Sequence, residues 1–327
     1  MICLGIEGTA HTVGIGIVRD RPFEILSNVS SMYRPPSGGI HPRDAANHHA
    51  SVFTDILQKA LERANIKFND IDLVAFSIGP GLGPCLRTAA TAARSLSLYL
   101  KKPLIGVNHC IAHLEIGRAV TGASDPVLLY VSGGNTQVIA FMNGRYRVFG
   151  ETLDIGIGNC LDKFGREAGM PFPAGPKIEE IARKGRKYVG LPYSVKGMDV
   201  SFSGILTAAI NSLKRESMED VCFSMQETCF SMLTEVAERA MAHTEKEEVL
   251  LGGGVASNER LRNMVRKMAE ERGAKFYCPP GELLVDNGAM IAWTAILMKK
   301  SGIEMDIDET AIKQNFRTDE VDVTWRH

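Results

Sequence analysis

Two stretches of this chain are built alike: LGIEGTAHTVGIGIV at positions 4–18 and LLYVSGGNTQVIAF at 128–141 each alternate apolar and small residues around a glycine-bearing bend. A period of two is the pattern of paired strands, so each stretch reads as a β-hairpin. Helices and strands alternate after each. The first hairpin leads to a helix from about Pro42 to Ala64, the strand IDLVAFSIG, the loop PGLGP, a helix from about Leu86 to Leu100 and a short strand ahead of His109. The second leads to amphipathic helices over roughly 158–184 and 202–243, the strand EVLLGG, a helix from about Ser257 to Glu271, the strand AKFYC and a long helix from Asn287. Proline and glycine stand at the boundaries, where they interrupt regular structure. The repetition constrains the chain to an α/β fold of two duplicated lobes, with a ligand-binding cleft expected between them. The lobes are expected at 1–124 and 125–302, with 303–327 returning to complete the first.

At 327 residues the chain exceeds one comfortable core, which agrees with two domains. A hydrophobic content of 45% and a charged content of 23% set aside disorder and coiled coil. No apolar run approaches the ~20 residues of a membrane span, and MICLGIEGTA lacks the segments of a signal peptide, so a cytoplasmic protein without membrane contact is expected. Cysteines 3, 85, 110, 160, 222, 229 and 278 form no C-x-x-C and read as reduced thiols. Lysine plus arginine number 37 against 38 acidic residues, so bulk charge does not attract nucleic acid; a polynucleotide substrate would need a local patch or a basic partner. The densest basic run, Arg183, Lys184, Arg186 and Lys187, reads more readily as a solvated helix end.

Chemistry concentrates in LIGVNHCIAHLEIGR, residues 104–118. Asn108 is a favourable N-cap, so a helix starting at His109 places His109 and His113 on one face, within reach of one ion. Two neutral imidazoles make half of a first-row metal site, whereas the plainer alternative has one capping the helix and the other packed in a core. Cys110 points away from that face. In LLGGGVASNERL, residues 250–261, an apolar strand ends in three glycines and enters a helix whose N-terminus hosts Ser257 and Asn258. Backbone amides and the helix dipole there favour a nucleotide, although a purely structural turn stays open. Neither the G-x-G-x-x-G nor the P-loop pattern is matched.

The two hairpins and GGGVASN, in this order, resemble the actin, sugar kinase and Hsp70 superfamily of duplicated ATP-binding lobes (ASKHA). GGIHPRDAANHHA (38–50), GPGLGPCLRTA (79–89), NHCIAHLEIGR (108–118), YVSGGNTQV (130–138), FPAGPKIE (172–179), SFSGI (201–205), LGGGVASN (251–258) and VDNGAMIAW (285–293) together resemble the catalytic subunit of the archaeal and eukaryotic KEOPS complex, homologous to bacterial TsaD. The resemblance implies metal-assisted transfer of threonylcarbamoyl from threonylcarbamoyl-AMP to N6 of the adenosine 3′ of the anticodon in tRNAs reading ANN codons. It implies an iron or zinc ion held by His109, His113 and Asp286, with Tyr130 as a further ligand or close neighbour. Asp286 also stands where a helix N-cap is expected. Val131, Ser132, Gly133 and Gly134 would meet the phosphate, and Asp162, Gly175, Glu179 and Asn258 would hold the adenylate or an ATP, ADP or AMP with Mg. Without the resemblance, Tyr130 would pass for a core aromatic and Asp162 and Glu179 for ordinary surface acids.

Glu7 occupies the place of the sugar-kinase aspartate, as a catalytic base, an orderer of a cation or water, or a shaper of the turn. His41, His48 and His49 complete no metal spacing and read as structural or interfacial. Implied partners are tRNA, a small atypical protein kinase (fused to the same polypeptide in some archaeal members), a small dimerising subunit and an auxiliary tRNA-binding subunit. Three rival readings remain: a small-molecule kinase or ATPase of the same superfamily, which would not need the His109, His113 and Asp286 set; a non-catalytic nucleotide-binding scaffold; and a metalloendopeptidase, disfavoured because HCIAH lacks the glutamate of H-E-x-x-H.

Overall fold

A computed structural model describes residues 1–35 and 39–326. Gly38, which opens the GGIHPRDAANHHA motif, and His327, the last residue of the segment 303–327, lie outside the described residues. The elements run β1 (Ile2–Glu7), β2 (Thr12–Asp20), β3 (Phe23–Met32), α1 (Pro42–Ala64), β4 (Leu73–Gly79), α2 (Gly83–Leu100), β5 (Leu104–Asn108), α3 (His109–Thr121), β6 (Val127–Val131), β7 (Thr136–Met142) and β8 (Arg145–Glu151). They continue with α4 (Ile157–Glu167), α5 (Gly175–Ala182), β9 (Val195–Lys196), β10 (Asp199–Val200), α6 (Ser203–Ser212), α7 (Met218–Thr244), β11 (Glu248–Gly252), α8 (Glu259–Glu271), β12 (Lys275–Tyr277), α9 (Gly281–Leu284) and α10 (Gly288–Lys300). Among the described residues no helix is long and apolar enough to cross a membrane.

The duplication is written in the sheets. One five-stranded sheet has the order β3-β2-β1-β4-β5 and the other β12-β11-β6-β7-β8, the same plan read from the opposite end. In the first, β1 pairs antiparallel with β2 and parallel with β4, and β4 pairs parallel with β5. In the second, β6 pairs antiparallel with β7 and parallel with β11, and β11 pairs parallel with β12. Strands that run parallel end at the same edge of their sheet. Glu7, Gly79 and Asn108 therefore share one edge of the first sheet, and Val131 and Gly252 share one edge of the second. Open α/β sheets place their ligand-binding loops at such carboxyl ends.

The chain forms two compact units: Met1–Ile116 with Asn143–Tyr146 and Val285–His327, and Gly117–Met142 with Arg147–Leu284. Two sequence-based boundaries shift accordingly. Residues 285–302, expected in the second lobe, pack on the first, because α10 lies against β1 and β2. Residues 117–124, expected in the first, belong to the second, the division falling inside α3. Gly5 and Gly16 face each other across β1 and β2, and α10 rests on them: a Cβ at either would overlap backbone atoms of Gly288, Ala289 or Ala292. Those strand glycines are thus the seat of a helix.

The two long amphipathic stretches each break into two helices. The first divides between α4 and α5, where Gly169 takes φ +73° and Pro171 and Pro173 follow. The second divides between α6 and α7, where Ser217 caps α7 by accepting from the Asp220 amide. Helical periodicity survives across such breaks because both pieces bury apolar faces against the same core.

In α1, His48 contacts Ser31 Oγ at 3.0 Å, whereas His49 is wholly buried. Burial, with the neighbouring His48, lowers the His49 pKa from 6.5 to about 4, against the opposing pull of Glu7. An unfolded chain takes up a proton at this site below about pH 6.5 that the folded protein refuses until about pH 4. Stability is therefore expected to fall by on the order of 2–3 kcal/mol across that window, an effect that His49→Leu removes. Urea unfolding at pH 7.5, 6 and 4.5 tests this; parallel pH profiles for the two proteins would exclude it.

Candidate metal centre and phosphate loop

The carboxyl edge of the first sheet builds the centre. Asn108 ends β5 and caps α3 as expected, its Oδ1 accepting from the amides of Cys110 (3.0 Å) and Ile111 (3.2 Å). Helical geometry thus begins at His109, and the rings of His109 and His113 lie 4.9 Å apart, centroid to centroid. Asp286 arrives just before α10, with Oδ1 3.4 Å from His109 Nε2 and 3.3 Å from His113 Nε2. One donor atom from each of the three residues lies within 4.8 Å of the others. Asp286 does not cap α10; Asn287 does, accepting from the Met290 amide, which leaves the Asp286 carboxylate to the histidines.

Glu7, at the end of β1, is fully buried. Its Oε1 accepts from the Thr9 amide (2.7 Å) and Thr9 Oγ1 (2.6 Å), and its Oε2 lies 3.0 Å from His109 Nδ1. Both oxygens of this carboxylate are thus engaged. It is well placed to accept the Nδ1 proton of His109, which fixes the tautomer and turns the Nε2 lone pair toward Asp286 and His113. Burial drives the Asp286 carboxyl up, but the two imidazoles overcome it and hold the group well below the usual carboxylate range. Burial lowers the His113 pKa, although Asp286 opposes the shift. Ionised aspartate and neutral histidine are the protonation states that ligate a metal. The donor set therefore fits a cation of the zinc or iron type.

Glu7→Gln keeps the volume but removes the charge behind His109. A 10- to 100-fold weaker affinity for Zn²⁺ is expected, roughly the cost of losing a partner that orients a ligand. Competitive titration against a chromophoric chelator measures it, and an unchanged affinity would deny Glu7 this role.

In the second unit, Tyr130 and Val131 end β6, with the Tyr130 side chain 1% exposed. The chain then turns tightly: the Ser132 amide donates to the Asn135 carbonyl (2.8 Å), and the Asn135 amide donates to Ser132 Oγ. Gly134 has open space where a side chain would stand, and Gly133 has nothing nearer than Asn159 Oδ1 at 3.8 Å. Behind the turn, the Gly158 and Asn159 amides donate to the carbonyls of Ser132 and Gly133. Gly253, at φ +89°, lies so close to the Val131 carbonyl that only glycine fits. Three glycine elements thus converge on one loop, a convergence that the separate motifs did not show.

The candidate adenylate residues fall into two pairs. Asp162 on α4 accepts from the Ala174 amide (2.7 Å), bracing the loop that opens α5 at Gly175, where a side chain would meet nothing. Glu179, one turn further along α5, accepts from the Glu259 amide at the start of α8 (3.0 Å), next to Asn258. Asn258 caps α8, accepting from the Arg260 and Leu261 amides, and donates to Gln226 Oε1. Its side chain is thereby committed to shaping the turn. Glu179, Arg183, Gln226, Glu227 and Arg260 line a hollow of about 330 Å³ in this unit. Gln226 and Glu227 gave no sequence signal, since both lie within a long helix among ordinary polar residues.

Residues 24–293 match the family described as TsaD: tRNA N6-adenosine threonylcarbamoyltransferase. The chain belongs to the TsaD family. A "tRNA N6-adenosine threonylcarbamoyltransferase" from Thermococcus sibiricus is 58% identical over 327 residues, covering 99% of this chain and 100% of the relative. A "Probable bifunctional tRNA threonylcarbamoyladenosine biosynthesis protein" from Methanocaldococcus jannaschii is 60% identical over 326 residues; the alignment covers 99% of this chain but only 60% of that relative's length. Among solved structures, the HypF of T. kodakarensis shares the fold at a TM-score of 0.65 and 14% identity, over 90% of this chain and 47% of that one. The duplicated α/β architecture expected from the sequence is therefore observed. TsaD-family membership makes the chain a transferase of tRNA modification, and the small-molecule kinase and scaffold readings are not favoured.

Proposed function

We propose that this chain transfers the threonylcarbamoyl group of threonylcarbamoyl-AMP to N6 of the adenosine 3′ of the anticodon in tRNAs reading ANN codons. The observation that carries the reading is the His109, His113 and Asp286 set with Glu7 behind it, which a simple kinase or ATPase does not need. These three residues would hold one iron or zinc ion, with Tyr130 as a further ligand or close neighbour. Such an ion, when bound, supplies Lewis-acid stabilisation of carbonyl or phosphate oxygen charge. The loop of Val131, Ser132, Gly133 and Gly134 meets the phosphate, which its two glycines let approach the backbone closely. Asp162 and Glu179 are suited to ribose hydroxyls, Gly175 leaves room for the adenylate, and Asn258 holds the turn at α8. An adenine amine is a poor nucleophile because its lone pair is delocalised into the ring, so most of the rate enhancement comes from positioning it against the carbonyl.

A near-neutral chain gains tRNA affinity from partners: the KEOPS small atypical protein kinase, the small dimerising subunit and the auxiliary tRNA-binding subunit, in the cytoplasm. The test combines threonylcarbamoyl-AMP, tRNA and these subunits with and without this chain, and digests the tRNA for mass spectrometry. Modified adenosine that appears only with the chain supports the proposal. Equal modification without it overturns the proposal.

A further inference from the structure

We propose that a cluster on the far side of α3, made of the buried Glu115 and Tyr146 and the part-buried Trp325, sets the roll of that helix and so positions His109 and His113. The inference rests on the metal reading above. Glu115 follows His113 by two residues, about 200° round a helix of 3.6 residues per turn, and so lies on the face opposite the imidazoles. It is 1% exposed. A buried carboxylate is tolerated only when hydrogen-bonded. Here its Oε1 accepts from Tyr146 Oη and from Trp325 Nε1 (2.7 Å). Arg326 adds positive charge, donating to Tyr146 Oη at 3.1 Å with its guanidinium 5.4 Å from the ring centroid.

The segment carrying Trp325 is tied down along its length. Asn108 Nδ2, on the residue that caps α3, donates to the carbonyls of Phe316 (3.3 Å) and Arg317 (3.4 Å). Asp322 pairs with Arg145, and the Val323 amide donates to the Gly144 carbonyl. The metal helix is thus gripped at its cap and again at its second turn by one segment distant in sequence. At a side-chain radius of about 5–6 Å, a roll of ~20° carries an imidazole about 2 Å. Metal–ligand distances tolerate about ±0.2 Å, so an anchor against rotation is a condition of the site. Glu115, Tyr146 and Trp325 are positioning residues; none of them is a ligand.

The experiment uses the metal-free full chain, titrated with Co²⁺ and followed through its d–d absorption. Parent, His109→Ala, Tyr146→Phe, Trp325→Phe and Trp293→Phe are compared, with a thermal melt of each. Tyr146→Phe removes one oxygen and Trp325→Phe one N–H, whereas Trp293 packs on Phe23 away from the cluster. Tyr146→Phe and Trp325→Phe are each expected to bind Co²⁺ about tenfold more weakly and with a changed band, while Trp293→Phe matches the parent. Should Trp325→Phe fail to fold, Tyr146→Phe decides alone. Parent-like affinity and spectrum in the cluster variants would overturn the proposal while leaving the metal site intact. Equal weakening in Trp293→Phe would also overturn it, as a general loss of stability. A parent whose Co²⁺ binding does not depend on His109 would overturn the metal reading and this inference together.

Discussion

Replacing His109 with alanine is expected to reduce bound metal from about one ion per chain to a trace and to abolish threonylcarbamoyl transfer. Three donors from two distant segments make the site, and the loss of a ligand costs more than the 10- to 100-fold typical of losing a ligand's supporting partner. Asp286→Asn is expected to do nearly as much, because it removes the carboxylate whose Oδ1 lies between the Nε2 atoms of both imidazoles. The acid side follows from the same groups. Burial keeps the His113 pKa below its usual 6.5, and the imidazoles keep Asp286 ionised, so protons compete weakly with the metal at mildly acidic pH. Metal analysis after gel filtration at pH 7.5 and pH 6 measures both effects. Equal metal content in parent and His109→Ala would contradict the site.

Gly16→Ala is expected to prevent accumulation of folded protein. The added methyl would overlap the backbone of Gly288 and Ala289, and backbone packed between a sheet and a helix has no rotamer with which to yield. Overpacking a well-packed core costs about 1–3 kcal/mol when side chains can adjust, and more when they cannot. A loss of more than about 3 kcal/mol is expected, a large share of the 5–15 kcal/mol that typically stabilises a domain. Gly204→Ala is the contrast: a Cβ there meets nothing, and the position is helical, so a gain of about 0.5–1 kcal/mol is expected. Denaturant midpoints of the two variants against the parent decide the matter. Comparable midpoints for Gly16→Ala and the parent would show that α10 does not rest on β1 and β2 as described.

Much of the local structure was legible beforehand. The helix from Pro42 to Ala64 was marked by a proline at its first position and an asparagine, Asn65, able to take the left-handed conformation just beyond its last. Asn108 announced the start of α3 because a cap is an interaction between neighbours in sequence. Other readings failed for equally specific reasons. Asp286 and Asn287 both had the chemistry of a cap, and only the path of the chain into α10 showed that Asn287 takes that role. Gly5 and Gly16 belong to the alternating pattern of the first hairpin, and nothing local shows that their partner is a helix more than 270 residues away in sequence.

The amino-acid order alone determined the duplicated hairpins, most element boundaries and the pairing of His109 with His113, since periodicity, caps and turn residues act between positions a few residues apart. Tertiary structure decided which carboxylates meet those histidines. Glu7 lies 102 residues before His109 and Asp286 lies 173 after His113, and no local preference relates them. They converge because β1, β4 and β5 run parallel and end at one edge, where α3 begins and α10 packs across the sheet.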